Sequence, residues 1–140
     1  MRVLALDHGG ARCGVAVSDP TGTLATPLAV VKRPDTHAGL AALAALAREC
    51  EVERVVVGLP LTLLGEEGPQ AEAARAFAER LGERLSVPVE LYDERLTTRQ
   101  AERSGGSAEL DSRAAAHLLE SYLASRSPAG SANPASGAAR

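Results

Sequence analysis

The sequence predicts an α/β domain with one mixed five-stranded sheet and helices on both faces. The chain opens with an apolar run, residues 3–6, and a second apolar run follows a glycine pair, which indicates a hairpin. Residues 55–57 are all valine, a run typical of a parallel strand that is covered on both faces. Segments of helical periodicity separate the later strands, as right-handed crossovers between parallel strands require.

The first part of the chain predicts an antiparallel meander, with strands at residues 1–7, 13–18 and 24–32. Gly9 and Gly10 lie between the first two strands and are expected to supply the positive φ angles of a tight turn. Pro27 interrupts the third strand, and because proline cannot donate to a ladder, this strand is expected at an edge of the sheet.

The second part of the chain alternates helices with strands. A helix is predicted after Pro34, with Asp35 or Thr36 as its N-cap. Pro69 fits the first turn of a second helix, and Thr97 with Gln100 forms a capping box for a short one. The remaining predicted elements are strands at residues 53–58 and 88–92 and a last helix at residues 111–125.

Length and composition predict one domain, residues 1–125, and a disordered tail, residues 126–140, which lacks periodic hydrophobicity. The net charge of −3 gives no strong basic field for nucleic acid. Two cysteines, Cys13 and Cys50, do not make a disulfide framework. No apolar run reaches about 18 residues and no targeting segment opens the chain, so a soluble, cytoplasmic protein without membrane contact is expected.

Carboxylates follow two of the predicted parallel strands, Asp7 after the first and Asp93-Glu94 after the last. The carboxyl ends of parallel strands meet at one edge of a sheet, so these groups are expected to lie close together. Asp111 begins a stripe that continues through Ala115, and this stripe must face the sheet. Three carboxylates at one edge suit Mg²⁺ or Mn²⁺, because both ions prefer oxygen ligands.

Each carboxylate also has a simpler interpretation. Asp7 could serve only the turn, Asp111 could be a helix N-cap or a partner of the helix dipole, and the spacing does not decide between Asp93 and Glu94. His8 points to the opposite face of the first strand from Asp7, so it is interpreted as a packed imidazole rather than a metal ligand.

Four blocks in order resemble the YqgF/RuvX family of pre-16S ribosomal RNA nucleases, formerly described as Holliday junction resolvases. The resemblance covers residues 2–125. The blocks are Leu6-Asp7-His8-Gly9 continuing to Asp19, Val56-Val57-Gly58-Leu59-Pro60, Asp93-Glu94-Arg95-Leu96-Thr97-Thr98, and Asp111 with Ala114-Ala115.

This resemblance implies an RNase H-like fold with strand order 3-2-1-4-5. It also implies that Asp7, Glu94 and Asp111 form the catalytic, metal-binding triad, which favours Glu94 over Asp93. Arg12 and Arg95 are the best candidates for contacts to substrate phosphate, because guanidinium groups bind phosphate through two parallel bonds.

The sequence departs from the family pattern in three places. The family usually has an apolar residue at the position of His8 and a basic one at that of Ala11. A longer, lysine-rich segment is replaced here by residues 104–110, which contain no lysine. The last departure removes a surface suited to phosphate contacts.

Together with the three carboxylates, the resemblance implies a divalent-metal-dependent nuclease of the two-metal type, processing the 5′ end of precursor 16S ribosomal RNA during ribosome biogenesis. Expected partners are this RNA, the small ribosomal subunit and branched DNA, with the protein a monomer or weak dimer. The alternatives are a Holliday junction resolvase, a non-catalytic ribosome-assembly factor that binds RNA, and a phosphate-binding ATPase-like domain.

Overall fold

The computed structural model describes residues 1–62, 64–94 and 108–126, with the side chains of 108–110 excepted. Helices and strands follow the predicted order along the chain. They are β1 (Val3–His8), β2 (Arg12–Ser18), β3 (Ala25–Lys32), α1 (His37–Glu49), β4 (Arg54–Leu59), α2 (Pro69–Gly82), β5 (Val89–Asp93) and α3 (Ala108–Arg126). Within these ranges, each helix is too short or too polar to cross a membrane.

The strands form one sheet in the order β3-β2-β1-β4-β5, which confirms the predicted topology. β1 lies at the centre, antiparallel to β2 and parallel to β4. β5 pairs in parallel with the outer side of β4, and β3 pairs antiparallel with the outer side of β2. The strand that contains Pro27 is therefore an edge strand, as predicted.

The two faces of the sheet carry separate apolar layers. Leu4 and Leu6 of β1 pack in the layer that includes α1 and α2, which we call the helix-pair face. Val3 and Ala5 pack against α3, on what we call the α3 face. Because successive side chains of a strand point to opposite faces, Asp7 belongs to the α3 face. Residues 55–57 are fully buried between the two layers, as their apolar run predicted.

The turn between β1 and β2 differs from the prediction. Neither Gly9 nor Gly10 has a positive φ. The Gly9 N–H donates to the Arg12 carbonyl at 2.8 Å, and a Cβ on Gly9 would lie 3.0 Å from that oxygen. The close approach of Arg12, rather than a left-handed backbone, is thus what favours glycine at position 9.

The helix termini follow the sequence signals in part. The Thr36 hydroxyl accepts a bond from the Gly39 N–H at 3.0 Å, so Thr36 rather than Asp35 caps α1. Pro69 begins α2, as predicted. α3 begins at Ala108, so the N-cap interpretation of Asp111 is wrong. Residues 108–110 are Ala-Glu-Leu, good helix formers that extend the helix towards its N-terminus.

Two predicted segments fall on residues that the structure does not describe. The short helix predicted near Thr97 and nearly all of the predicted tail, residues 127–140, lie outside the described ranges.

Tyr122 connects α3 to two strands of the sheet. Its side chain is 1% exposed, and its hydroxyl donates to Glu90 Oε1 at 2.8 Å. The same oxygen accepts a bond from Arg54 Nη1 at 2.8 Å. Burial and the hydrogen bond to Glu90 raise the pKa of Tyr122 to about 12.

We expect Tyr122→Phe to lower the free energy of unfolding by about 1–2 kcal/mol at pH 7, because it removes a hydrogen bond to a charged group. An unfolded tyrosine ionises near pH 10. The unfolded state therefore loses its proton first, and wild-type stability should fall as the pH rises from 10 to 12. Tyr122→Phe should lack that portion of the decline. Urea unfolding from pH 7 to 12 measures both effects, and identical alkaline slopes in the two proteins would contradict the raised pKa.

Candidate acidic site

Asp7 lies at the carboxyl end of the central strand, and glycine occupies the neighbouring position on each side. Gly14 of β2 is its direct cross-strand partner. On the other side, Leu6 pairs with Val57, so that Asp7 and Gly58 are the next residues of their strands. Since neither glycine has a side chain, the α3 face beside Asp7 is open to groups from elsewhere in the chain.

The backbone of Asp111 fills the space over Gly14. A Cβ on Gly14 would lie 2.5 Å from the Asp111 carbonyl carbon and closer still to its oxygen. The first turn of α3 therefore rests directly on β2, beside Asp7. The stripe predicted from Asp111 is confirmed, because Ala115 and Tyr122 are buried against the sheet.

The side chain of Glu94 fills the space over Gly58. A Cβ on Gly58 would lie 2.8 Å from Glu94 Cγ and closer still to Oε2. Glu94 is buried, and it follows Asp93, the last residue of β5. Tyr92 packs in the layer of the α3 face, so by alternation Asp93 is directed to the helix-pair face. Of the two carboxylates that the spacing left open, Glu94 is the one on the face of Asp7.

Asp7, Glu94 and Asp111 thus lie at one end and on one face of the sheet. Within the described ranges, no three His, Cys, Asp or Glu side chains already form an arrangement able to hold a metal ion. The donor chemistry nevertheless suits a hard cation, because all three side chains present carboxylate oxygens. Asp111 Oδ2 is buried and accepts no well-aligned hydrogen bond from the described residues, so a cation could satisfy it.

Arg12 lies against Asp111. Its Nε is 2.9 Å from Asp111 Oδ2, while the Arg12 side chain is 34% exposed and that of Asp111 17%. A residue predicted to contact phosphate is therefore paired with a residue predicted to hold metal. Arg95, the second predicted phosphate contact, lies outside the described residues.

His8 is packed on the opposite face, as its position in the strand predicted. Its ring stacks on Phe77 with centroids 4.4 Å apart, and its side chain is 4% exposed. His8 Nε2 lies 3.0 Å from Asp35 Oδ2. Sequence reasoning missed this pair, although Asp35 was singled out as a possible cap. The contact between His8 and Asp35 holds the end of β1 on the helix-pair face, next to Asp7.

The pKa of the Cys13 thiol reflects the negative charge around this end of the sheet. Burial raises the pKa of its thiol well above the usual value, and the carboxylates of Asp7, Asp35 and Asp111 raise it further. Two of those three carboxylates belong to the acidic site. Their combined field disfavours an additional negative charge and favours a bound cation.

A family model described as "RuvX: Holliday junction resolvase" matches residues 1–125. Similar curated proteins carry the name "Putative pre-16S rRNA nuclease". The protein of Anaeromyxobacter sp. (strain Fw109-5) is 47% identical, and the match covers 90% of this chain and 98% of that protein. The protein of Myxococcus xanthus (strain DK1622) is 44% identical, with 91% of each chain covered.

Solved structures of RuvC from Thermus thermophilus resemble the fold. The structure of that protein in complex with a Holliday junction substrate has a TM-score of 0.58 at 18% identity, covering 90% of this chain and 95% of that one. A second RuvC structure has a TM-score of 0.51 at 20% identity, covering 90% and 96%. This likeness supports the RNase H-like fold class and, at such identity, nothing finer.

Proposed function

The chain belongs to the RuvX family, and from that membership we propose that it is a divalent-metal-dependent nuclease processing the 5′ end of precursor 16S ribosomal RNA. The observation that carries this proposal is the placement of Asp7, Glu94 and Asp111 around Gly14 and Gly58. The names of the curated relatives support RNA as the substrate.

Asp7, Glu94 and Asp111 would hold Mg²⁺ or Mn²⁺ through their oxygens. A pair of such ions, when bound, supplies activation of a water molecule and stabilisation of the leaving oxygen in phosphodiester hydrolysis. The position of Glu94 supports a role in binding a cation, because its buried carboxylate lies over Gly58, on the same face and at the same end of the sheet as Asp7. Arg12 and Arg95 would orient the substrate phosphate.

The family description favours a second candidate, a Holliday junction resolvase acting on four-way DNA. A resolvase cuts two strands and needs two sites, so it would act as a dimer. We propose instead a monomer or weak dimer that acts in the cytoplasm with the small ribosomal subunit. A third candidate, a non-catalytic RNA-binding assembly factor, draws on the net charge of −3 and the lysine-free residues 104–110.

Side-by-side cleavage assays on a precursor 16S RNA fragment and a four-way DNA junction separate these candidates. Each substrate is end-labelled and incubated with the full chain in Mn²⁺, in Mg²⁺ or in EDTA. We expect metal-dependent cleavage of the RNA at its 5′ side, faster than cleavage of the junction, and no cleavage in EDTA. Preferential symmetric cutting of the junction would instead establish the resolvase.

If neither substrate is cleaved, the non-catalytic RNA-binding assembly factor is the candidate function that remains. In that case ribosome co-sedimentation should survive replacement of Asp7, Glu94 and Asp111 by alanine, because RNA binding alone would not use their carboxylates.

A further inference from the structure

We propose that Arg12 is a resident counter-ion of the acidic site, which occupies Asp111 until a divalent ion displaces it and is then released to bind substrate phosphate. This inference rests on the proposed function, because it takes Asp7, Glu94 and Asp111 as the metal-binding residues. It gives Arg12 a role before the substrate arrives, in setting the affinity of the site for metal.

The backbone fixes Arg12 beside the site. Arg12 begins β2 and is paired with Lys32 of β3, and its carbonyl accepts the Gly9 N–H. From there the side chain reaches the first turn of α3, where Nε lies 2.9 Å from Asp111 Oδ2. A divalent ion can therefore replace Arg12 at Asp111 if the side chain of Arg12 alone moves.

The two partners differ in how easily they can leave the pair. The Arg12 side chain is twice as exposed as that of Asp111, 34% against 17%, so it can turn towards solvent while Asp111, in the first turn of α3, stays against the sheet. Asp111 Oδ2 is buried and receives no well-aligned hydrogen bond from the described residues. The arginine therefore neutralises this oxygen by charge without a strong directional bond.

A divalent ion competes directly for the same oxygen. It carries twice the charge of a guanidinium and approaches carboxylate oxygens to about 2.0–2.1 Å in the case of Mg²⁺. An ion bound at Asp111 Oδ2 would neutralise the charge that holds Arg12 and would repel the guanidinium, so we expect binding of the ion to release Arg12. The released guanidinium retains its planar set of donors, which matches a phosphate group. Metal and substrate would then each favour the binding of the other through Arg12.

Isothermal titration of the metal-free full chain with Mn²⁺ tests the exchange. We expect Arg12→Gln to bind Mn²⁺ about three- to tenfold more tightly than the wild type, because the ion no longer displaces a cation. Arg113→Gln is the matched control. It removes the same charge from an exposed position two residues after Asp111, and it should change the affinity by less than about twofold. Arg12→Lys retains the charge and should stay close to the wild type.

An Arg12→Gln protein that binds Mn²⁺ no more tightly than the wild type overturns the exchange. Equal tightening in Arg113→Gln also overturns it, because the effect would then come from the general field. If none of these proteins binds Mn²⁺, the metal site of the proposed function fails as well. If all bind Mn²⁺ with equal affinity, only the exchange fails. Circular dichroism in EDTA checks that each variant is folded.

Discussion

Asp7→Asn is expected to lower the rate of Mn²⁺-dependent cleavage of precursor 16S RNA by about 10³-fold, equivalent to roughly 4 kcal/mol of transition-state stabilisation. Asp7 lies at the centre of the site, between the glycines over which Asp111 and Glu94 are placed. Asparagine has nearly the same size but no negative charge, so it weakens cation binding at this position with little change in side-chain volume. Single-turnover cleavage with excess enzyme at fixed Mn²⁺ measures the chemical step.

Asp93→Asn is the matched control for Asp7→Asn. It neutralises a carboxylate at the same end of the sheet that is directed to the opposite face, and the cleavage rate should change by less than about threefold. Glu94→Gln should behave like Asp7→Asn. The reverse result, an inactive Asp93→Asn protein and an active Glu94→Gln protein, would show that the wrong carboxylate of the pair had been chosen.

Gly14→Ala is expected to lower the free energy of unfolding by about 3 kcal/mol. The new methyl group would lie 2.5 Å from the backbone carbonyl carbon of Asp111, and no rotation of a side chain can relieve that overlap. α3 must shift away from β2, which also moves Asp111 away from Asp7. Chemical denaturation measures the loss, and the cleavage rate should fall in parallel.

Gly10→Ala provides the control for this glycine substitution. A Cβ at position 10 meets no atom within 4 Å and the residue has no positive φ, so stability should stay within about 0.5 kcal/mol of the wild type. If Gly14→Ala unfolds at the same denaturant concentration as Gly10→Ala, the close packing of α3 on β2 is contradicted.

Local sequence patterns were sufficient for the order of strands and helices along the chain and for the faces of the strands, whereas the strand order 3-2-1-4-5 came from the family resemblance. The fully apolar residues 55–57 require cover on both sides, and Pro27 requires an edge, so both strands could be placed before the structure was known. Alternation along β1 also assigned Asp7 and His8 to opposite faces. These are local properties of a strand, and they depend little on the rest of the fold.

Contacts between distant segments could not be predicted in this way. Alternation separated Asp93 from Glu94 but did not say which of them would meet Asp7, because that depends on Gly58 of a different strand. The pairing of Arg12 with Asp111 joins residues near opposite ends of the described chain, and no spacing rule connects them. The start of α3 was missed because Ala-Glu-Leu gives no stop or start signal of its own.

The burial of Cys13 in the apolar layer of the helix-pair face has a practical consequence for chemical labelling. Its thiol is buried in the core, and its raised pKa keeps it protonated, so alkylating reagents should react with it very slowly. Cys50, the other cysteine, ends α1 on the helix-pair face, and its carbonyl contacts Arg2 at the amino end of β1. A single maleimide dye on Cys50 would therefore report unfolding from the opposite end of the sheet and leave the acidic site unobstructed.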